Sequence, residues 1–153
     1  MTLPQPDKPD IDDKFRTIIS DINENLVFLD ATYGVETKVI TFTRDLTAAS
    51  GTVGYTGVGF QPTAIILFLS EPTTGRKSWG VGDVDKTNHT LMERYDGTLS
   101  IRTTWIGQIW TTLDDVHRAK ISSYDADGFT LEWEKEDSPT GTATGIALCI
   151  KGA

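Results

Sequence analysis

The sequence predicts a mainly β protein: an antiparallel β-sandwich or jelly-roll-like domain preceded by an extended proline arm and one α-helix. Three observations predict it. From Val35 onward apolar residues recur with a period of 2, as in half-buried strands. Clusters of Gly, Pro, Asp, Ser and Thr break this pattern at short intervals, as in sandwiches and jelly rolls. Helical spacing is confined to residues 10–31.

Residues 1–9 hold Pro4, Pro6 and Pro9 and no apolar periodicity. Proline fixes φ and removes a donor, so an extended, polyproline-like arm is expected. Such an arm either lies on a partner or remains a disordered tail.

Residues 10–31 open with Asp10, a good N-cap, and with Asp12 and Asp13 where the helix dipole favours carboxylates. Phe15, Ile19, Ile22, Leu26 and Leu29 step by 4, 3, 4 and 3, a coiled-coil seam. Ile11, Ile18 and Asn25 add a stripe beside it. The combined face is wider than a two-stranded seam requires. It suits three packed helices, and so a homotrimer, or one helix docked across the chain's own β domain. At about two to three heptads the seam is too short to hold chains together alone. Ile11, Phe15, Ile18, Ile19, Ile22, Leu26 and Leu29 are therefore the candidate oligomerisation and attachment residues.

Residues 35–153 carry the predicted β-sandwich. Strands are expected over Lys38–Arg44, Thr52–Val58, Ala64–Leu69, Ser78–Val81, Thr90–Arg94, Leu99–Thr103, Gln108–Leu113 and Ala119–Tyr124. Phe129, Leu131 and Trp133 alternate with Thr130, Glu132 and Glu134, a half-buried strand. Ile146, Leu148 and Ile150 alternate with Gly145, Ala147 and Cys149, whose face is small rather than polar. The run Ala64–Leu69 is continuously apolar and is expected to be a central strand covered on both faces. Turn signals include Glu71-Pro72-Thr73-Thr74-Gly75, Asp96-Gly97 and Asp125-Ala126-Asp127-Gly128.

The 153 residues fit one domain with a short appendage. Lys plus Arg is 14 against 22 Asp plus Glu, a net charge of -8. That balance argues against nucleic acid or an anionic membrane as partner, because both call for a basic patch. The single cysteine, Cys149, excludes a disulfide within the chain and a Cys-based zinc site. The first ten residues lack the basic and apolar regions of a secretory signal, so synthesis and folding in a cytoplasm are expected.

Three segments carry a resemblance. The first is Gly57-Val58-Gly59-Phe60-Gln61-Pro62 followed by the apolar run from Ala64. The second is Trp79-Gly80-Val81-Gly82-Asp83. The third is Asp127-Gly128-Phe129-Thr130-Leu131-Glu132-Trp133 with the small-residue strand beginning at Gly145. Together, over about residues 40–151, they resemble small β-sandwich domains of tailed-bacteriophage virion proteins. The resemblance implies a virion location, as a capsid decoration or head-fibre protein or as a tail-fibre or appendage module. Implied partners are further copies of the chain and other virion proteins such as the major capsid protein. A host surface glycan is the implied partner of an appendage. Independently of the resemblance, Gly57 and Gly59 permit a tight corner, Phe60 is expected to turn inward, and Asp127-Gly128 should launch Phe129, Leu131 and Trp133 onto the core face.

Candidate chemistry is sparse. Trp79, Trp105 and Trp110 are the candidate glycan contacts, although aromatic residues more often fill cores and interfaces. Asp83-Val84-Asp85-Lys86-Thr87-Asn88-His89 offers carboxylates, an amide and an imidazole in one loop, without EF-hand spacing. Glu132 and Glu134 share a strand face about 7 Å apart, a separation that inverting glycosidases use, yet a solvated strand face looks the same. No nucleophile motif or phosphate-cradling loop is present. The expectation is a non-enzymatic structural protein with no catalytic residue, no metal and no cofactor. The alternative is a lectin-like receptor-binding module.

Overall fold

Ten strands follow from the period-2 pattern in a computed structural model, which describes residues 34–152. They are β1 (Glu36–Asp45), β2 (Gly51–Thr56), β3 (Ala64–Glu71), β4 (Arg76–Asp83), β5 (Asn88–Glu93), β6 (Leu99–Arg102), β7 (Gly107–Trp110), β8 (Val116–Asp125), β9 (Gly128–Glu136) and β10 (Thr142–Lys151). Each overlaps a predicted strand. The predicted arm over 1–9 and helix over 10–31 lie outside the described residues.

Six strands form one sheet in the order β1-β10-β3-β4-β5-β6, and four form a second in the order β2-β9-β8-β7. Every pairing is antiparallel. The sheets pack face to face in a sandwich-like arrangement. Ile65, Leu67 and Leu69 of the first sheet meet Ile121, Phe129, Leu131 and Trp133 of the second in a single buried cluster. Hydrogen bonds tie the layers: Tyr124 Oη donates to the Gly82 carbonyl at 2.9 Å, the Gln108 amide to Ser78 Oγ at 3.0 Å, the Ile121 amide to Asn88 Oδ1 at 3.3 Å, and the Arg44 guanidinium to His117 Nε2 at 3.3 Å.

The core is filled unequally. The four-stranded sheet contributes Trp133, Phe129 and Leu131, all fully buried. Opposite, β10 presents Ala143, Gly145, Ala147 and Cys149, and β4 presents Ser78, Gly80 and Gly82. A Cβ on Gly80 would overlap the Ile106 carbonyl oxygen, and one on Gly145 would overlap the Phe42 ring. Small residues thus bring one sheet close enough for the large side chains of its neighbours to fill the space. The face of β10 that is small rather than polar is the inner one.

This arrangement corrects the expectation for Ala64–Leu69. Ile65, Leu67 and Leu69 are buried, but Ile66 is half-buried and Phe68 is 42% exposed. Among the described residues β3 is covered on one face only, because the four-stranded sheet packs against one side of its sheet.

The corner after β2 forms as expected. Gly57 and Gly59 adopt φ of 87° and 89°, in the left-handed region that favours glycine. Asp127, in the β8–β9 turn, accepts the amides of both, at 3.1 Å from Gly57 and 2.5 Å from Gly59. Phe60 then enters the core with 8% exposure. Strand β7 ends at Trp110 rather than Leu113, because the Thr111 amide donates to the Asp115 carbonyl at 3.0 Å and starts the turn to β8.

Candidate functional site

Large apolar residues displaced from the core side of the six-stranded sheet emerge on its outer face. The strand register aligns them. Ile146 of β10 pairs with Phe68 of β3, Phe68 with Trp79 of β4, Trp79 with Leu91 of β5, and Leu91 with Ile101 of β6. One apolar row therefore crosses five strands. Leu148, Ile66 and Val81 form a second row beside it, ending at His89. Trp79 is 53% exposed and Ile101 68%.

Trp79 stands between two shallow hollows. One, of about 340 Å³, is lined by Ile66, Phe68, Trp79, His89, Leu91 and Ile101. The other, of about 210 Å³, is lined by Phe68, Trp79, Thr144 and Ile146. At one margin Lys77 lies 3.0 Å and Arg76 3.4 Å from the Glu93 carboxylate.

The outer face of the four-stranded sheet is built differently. Lys120 pairs with Glu132 at 3.1 Å, and Arg118 pairs with Glu134 and, at 2.8 Å, with Glu136. Glu132 and Glu134 thus share the solvent face, as their alternation implied, with each carboxylate held by a cation of β8. One surface of the sandwich is an ion-paired ladder and the other an apolar one.

The three tryptophans are not gathered into one platform. Trp79 belongs to the apolar face. Trp105 lies under the outward cations of β8, with the Arg118 guanidinium 4.7 Å and the Lys120 ammonium 5.8 Å from its ring centroid. Trp110 lies under Arg94, 5.8 Å away. The candidate attachment residues Ile11, Phe15, Ile18, Ile19, Ile22, Leu26 and Leu29 lie outside the described residues.

The polar loop from Asp83 to His89 is the β4–β5 turn. Asp83 Oδ1 accepts the amides of Asp85 and Thr87 at 3.1 and 3.0 Å. Buried Asn88 donates to the Lys86 carbonyl at 2.7 Å. Among the described residues no group of three or more His, Cys, Asp or Glu side chains is placed to hold a metal ion.

Two buried polar groups serve the fold. His117 is fully buried; its Nδ1 donates to the Leu46 carbonyl at 2.9 Å, and Nε2 accepts from the Arg44 guanidinium at 3.3 Å. Burial disfavours its charged form, and the Arg44 cation adds to this, so its pKa lies below the ordinary histidine value. Burial pushes the Glu71 carboxyl up, but the amides of Thr73 and Thr74 and the Thr74 hydroxyl donate to it and hold it below the usual range. Cys149 is buried, which pushes its thiol up to about 11 and makes it a packing residue rather than a nucleophile.

Strand-by-strand reading missed the apolar outer face. Its signal was nevertheless present: large residues alternate with glycine in Trp79-Gly80-Val81-Gly82 and with small residues in Ile146–Ile150. No protein-family model, curated protein or solved structure matches this chain.

Proposed function

We propose that this chain is a structural protein of a tailed-bacteriophage virion, a decoration or head-fibre protein on the capsid surface. In this reading a homotrimer attaches through the arm (1–9) and helix (10–31) and displays a jelly-roll-like sandwich. The observation that carries it is the asymmetry of the sandwich: an ion-paired face suited to water and an apolar face suited to burial against protein. A domain so divided is suited to a place in an assembly. The resemblance of the Gly57–Pro62 corner and the Asp127–Trp133 strand to phage virion domains supports the setting, and the acidic balance suits outward display.

The test is attachment. Deleting residues 2–9 is expected to leave a folded, soluble oligomer that no longer co-sediments with particles lacking the wild-type protein. Undiminished co-sedimentation would refute attachment through the arm, and no binding by the intact chain would refute the capsid assignment.

A second reading, a tail-fibre or appendage module that binds a receptor glycan, is favoured by exposed Trp79 beside the hollow that His89 and Leu91 line. Saturable glycan binding by the intact chain, lost in Trp79→Ala, would replace the structural reading with this one.

A further inference from the structure

We propose that the polar groove beside the β4–β5 turn is a binding site for an uncharged oligosaccharide. The inference is independent of the capsid reading, and it places sugar binding away from Trp79. A hollow of about 480 Å³ is lined by Lys86 of the β4–β5 turn, by Thr103 and Thr104 after β6, and by Lys120, Ser122 and Glu132 of the four-stranded sheet. That volume lies within the ~300–1,000 Å³ of ordinary small-molecule sites. A second hollow, of about 380 Å³, shares Lys86 and continues along β8 at Ser123 and Tyr124 as far as Pro62.

Two departures from regular backbone converge on this groove. Strand β8 bulges: Ile121 pairs with Leu131 and Ser123 with Thr130, so Ser122 has no partner on β9 and lines the groove. Bulges are common beside functional sites, where they re-aim a side chain. Across the groove, Lys86 adopts a φ of 60°, a left-handed conformation uncommon for a residue with a long side chain. Buried Asn88 braces one wall against the other. It donates to the Lys86 carbonyl at 2.7 Å and accepts the Ile121 amide at 3.3 Å. The walls are thereby fixed before a ligand arrives, which lowers the ordering cost of binding.

The lining chemistry selects the ligand. The ammonium groups donate, the Glu132 carboxylate accepts, and the three hydroxyls do both. An anion meets no net positive field, because Lys120 is paired with Glu132 at 3.1 Å and the turn that carries Lys86 also carries Asp83 and Asp85. A metal ion meets no group of three His, Cys, Asp or Glu side chains among the described residues. An apolar ligand would strip water from these polar groups and leave them unpaired. Sugar hydroxyls donate and accept at once, and so match the whole set. Pro62 and the ring of Tyr124, whose Oη is fixed on the Gly82 carbonyl at 2.9 Å, add apolar surface for the C–H face of a sugar ring.

The experiment presents the full chain to an array of immobilised oligosaccharides, some neutral, some carboxylated and some sulfated. Saturable binding to neutral chains is expected. Lys86→Gly removes the ammonium while glycine keeps the left-handed turn. Its affinity should fall by about tenfold or more, the worth of one charge-assisted hydrogen bond, with the β signature in circular dichroism retained. Thr104→Trp fills the mouth of the groove from an exposed position and should abolish binding without unfolding the domain. Trp79→Ala should leave binding intact. No binding by the intact chain would overturn the proposal, as would selective binding of the carboxylated or sulfated chains. Binding that survives both groove variants and is lost in Trp79→Ala would move the site to the apolar face. Failure of the intact chain to co-sediment with particles, with groove binding retained, would defeat the capsid reading and leave this one standing.

Discussion

Phe68 and Trp79 face each other across the β3–β4 pair on the outside of the sandwich, their ring centroids 6.1 Å apart and their planes tilted by 47°. Each ring shades the other, yet both remain about half open. Their main-chain neighbours explain the position. Leu67 and Leu69 point into the core beside Phe68, while Gly80 and Ser78 beside Trp79 leave room there for Ile106 and for the amide of Gln108. The aromatic pair is outside because the space on the inner side of β4 is already taken.

Phe60→Ala should destabilise the domain by about 3–5 kcal/mol, the usual cost of removing a core aromatic ring. Phe60 is buried at the end of the Gly57–Gly59 corner and belongs to the main cluster. Chemical denaturation checks this, and a loss below ~1 kcal/mol would place the ring's energetic role at the surface.

Gly80→Ala should cost more than Gly54→Ala. A Cβ at position 80 runs into backbone atoms of Ile106, whereas at position 54 it meets only Thr130 Oγ1 at 3.5 Å, ordinary contact. Overpacking of the first kind costs about 1–3 kcal/mol or more. Equal denaturation midpoints for the two variants would show that the sheets separate freely at this point.

Stability should fall in acid partly through Glu71. Its folded pKa lies below the ordinary glutamate value of 4.5, so its contribution is complete above that pH and is lost as pH drops through the folded value. Glu71→Gln is expected to cost about 1–3 kcal/mol at pH 7, by leaving turn donors poorly accepted. It should also flatten the decline below pH 4.5. An unchanged acid limb in urea titrations would assign that limb to other carboxylates.

His117 should act at higher pH. Its folded pKa is depressed below 6.5, so the neutral ring is favoured in the folded state. Stability is therefore full above 6.5 and declines as pH falls through the folded value. In His117→Gln this component should vanish while overall stability drops. Ring titration by NMR near the ordinary value, in the folded protein, would contradict the buried neutral form.

Sequence alone determined the strands. The alternation Phe129-Thr130-Leu131-Glu132-Trp133 has one physical solution, a half-buried strand, and Asp127-Gly128 before it allows one kind of start. The Gly57–Pro62 corner was legible for the same reason: only a tight turn uses two glycines there and then sends Phe60 inward. That Asp127 is the group accepting the Gly57 and Gly59 amides was not legible, because the two turns are 68 to 70 residues apart in sequence and adjacent only after the β2–β9 pairing forms. Nor could period 2 decide which side of a strand faces inward when both sides are apolar. For β3, β4 and β10 the tertiary structure made that choice by volume. The four-stranded sheet supplies Trp133, Phe129 and Leu131, so the opposing strands must turn Gly80, Gly82, Gly145 and Ala147 inward. Ile146, Phe68, Trp79, Leu91 and Ile101 are left outside as a single row. Burial energy drives apolar side chains out of water, but close packing limits how many one core can take.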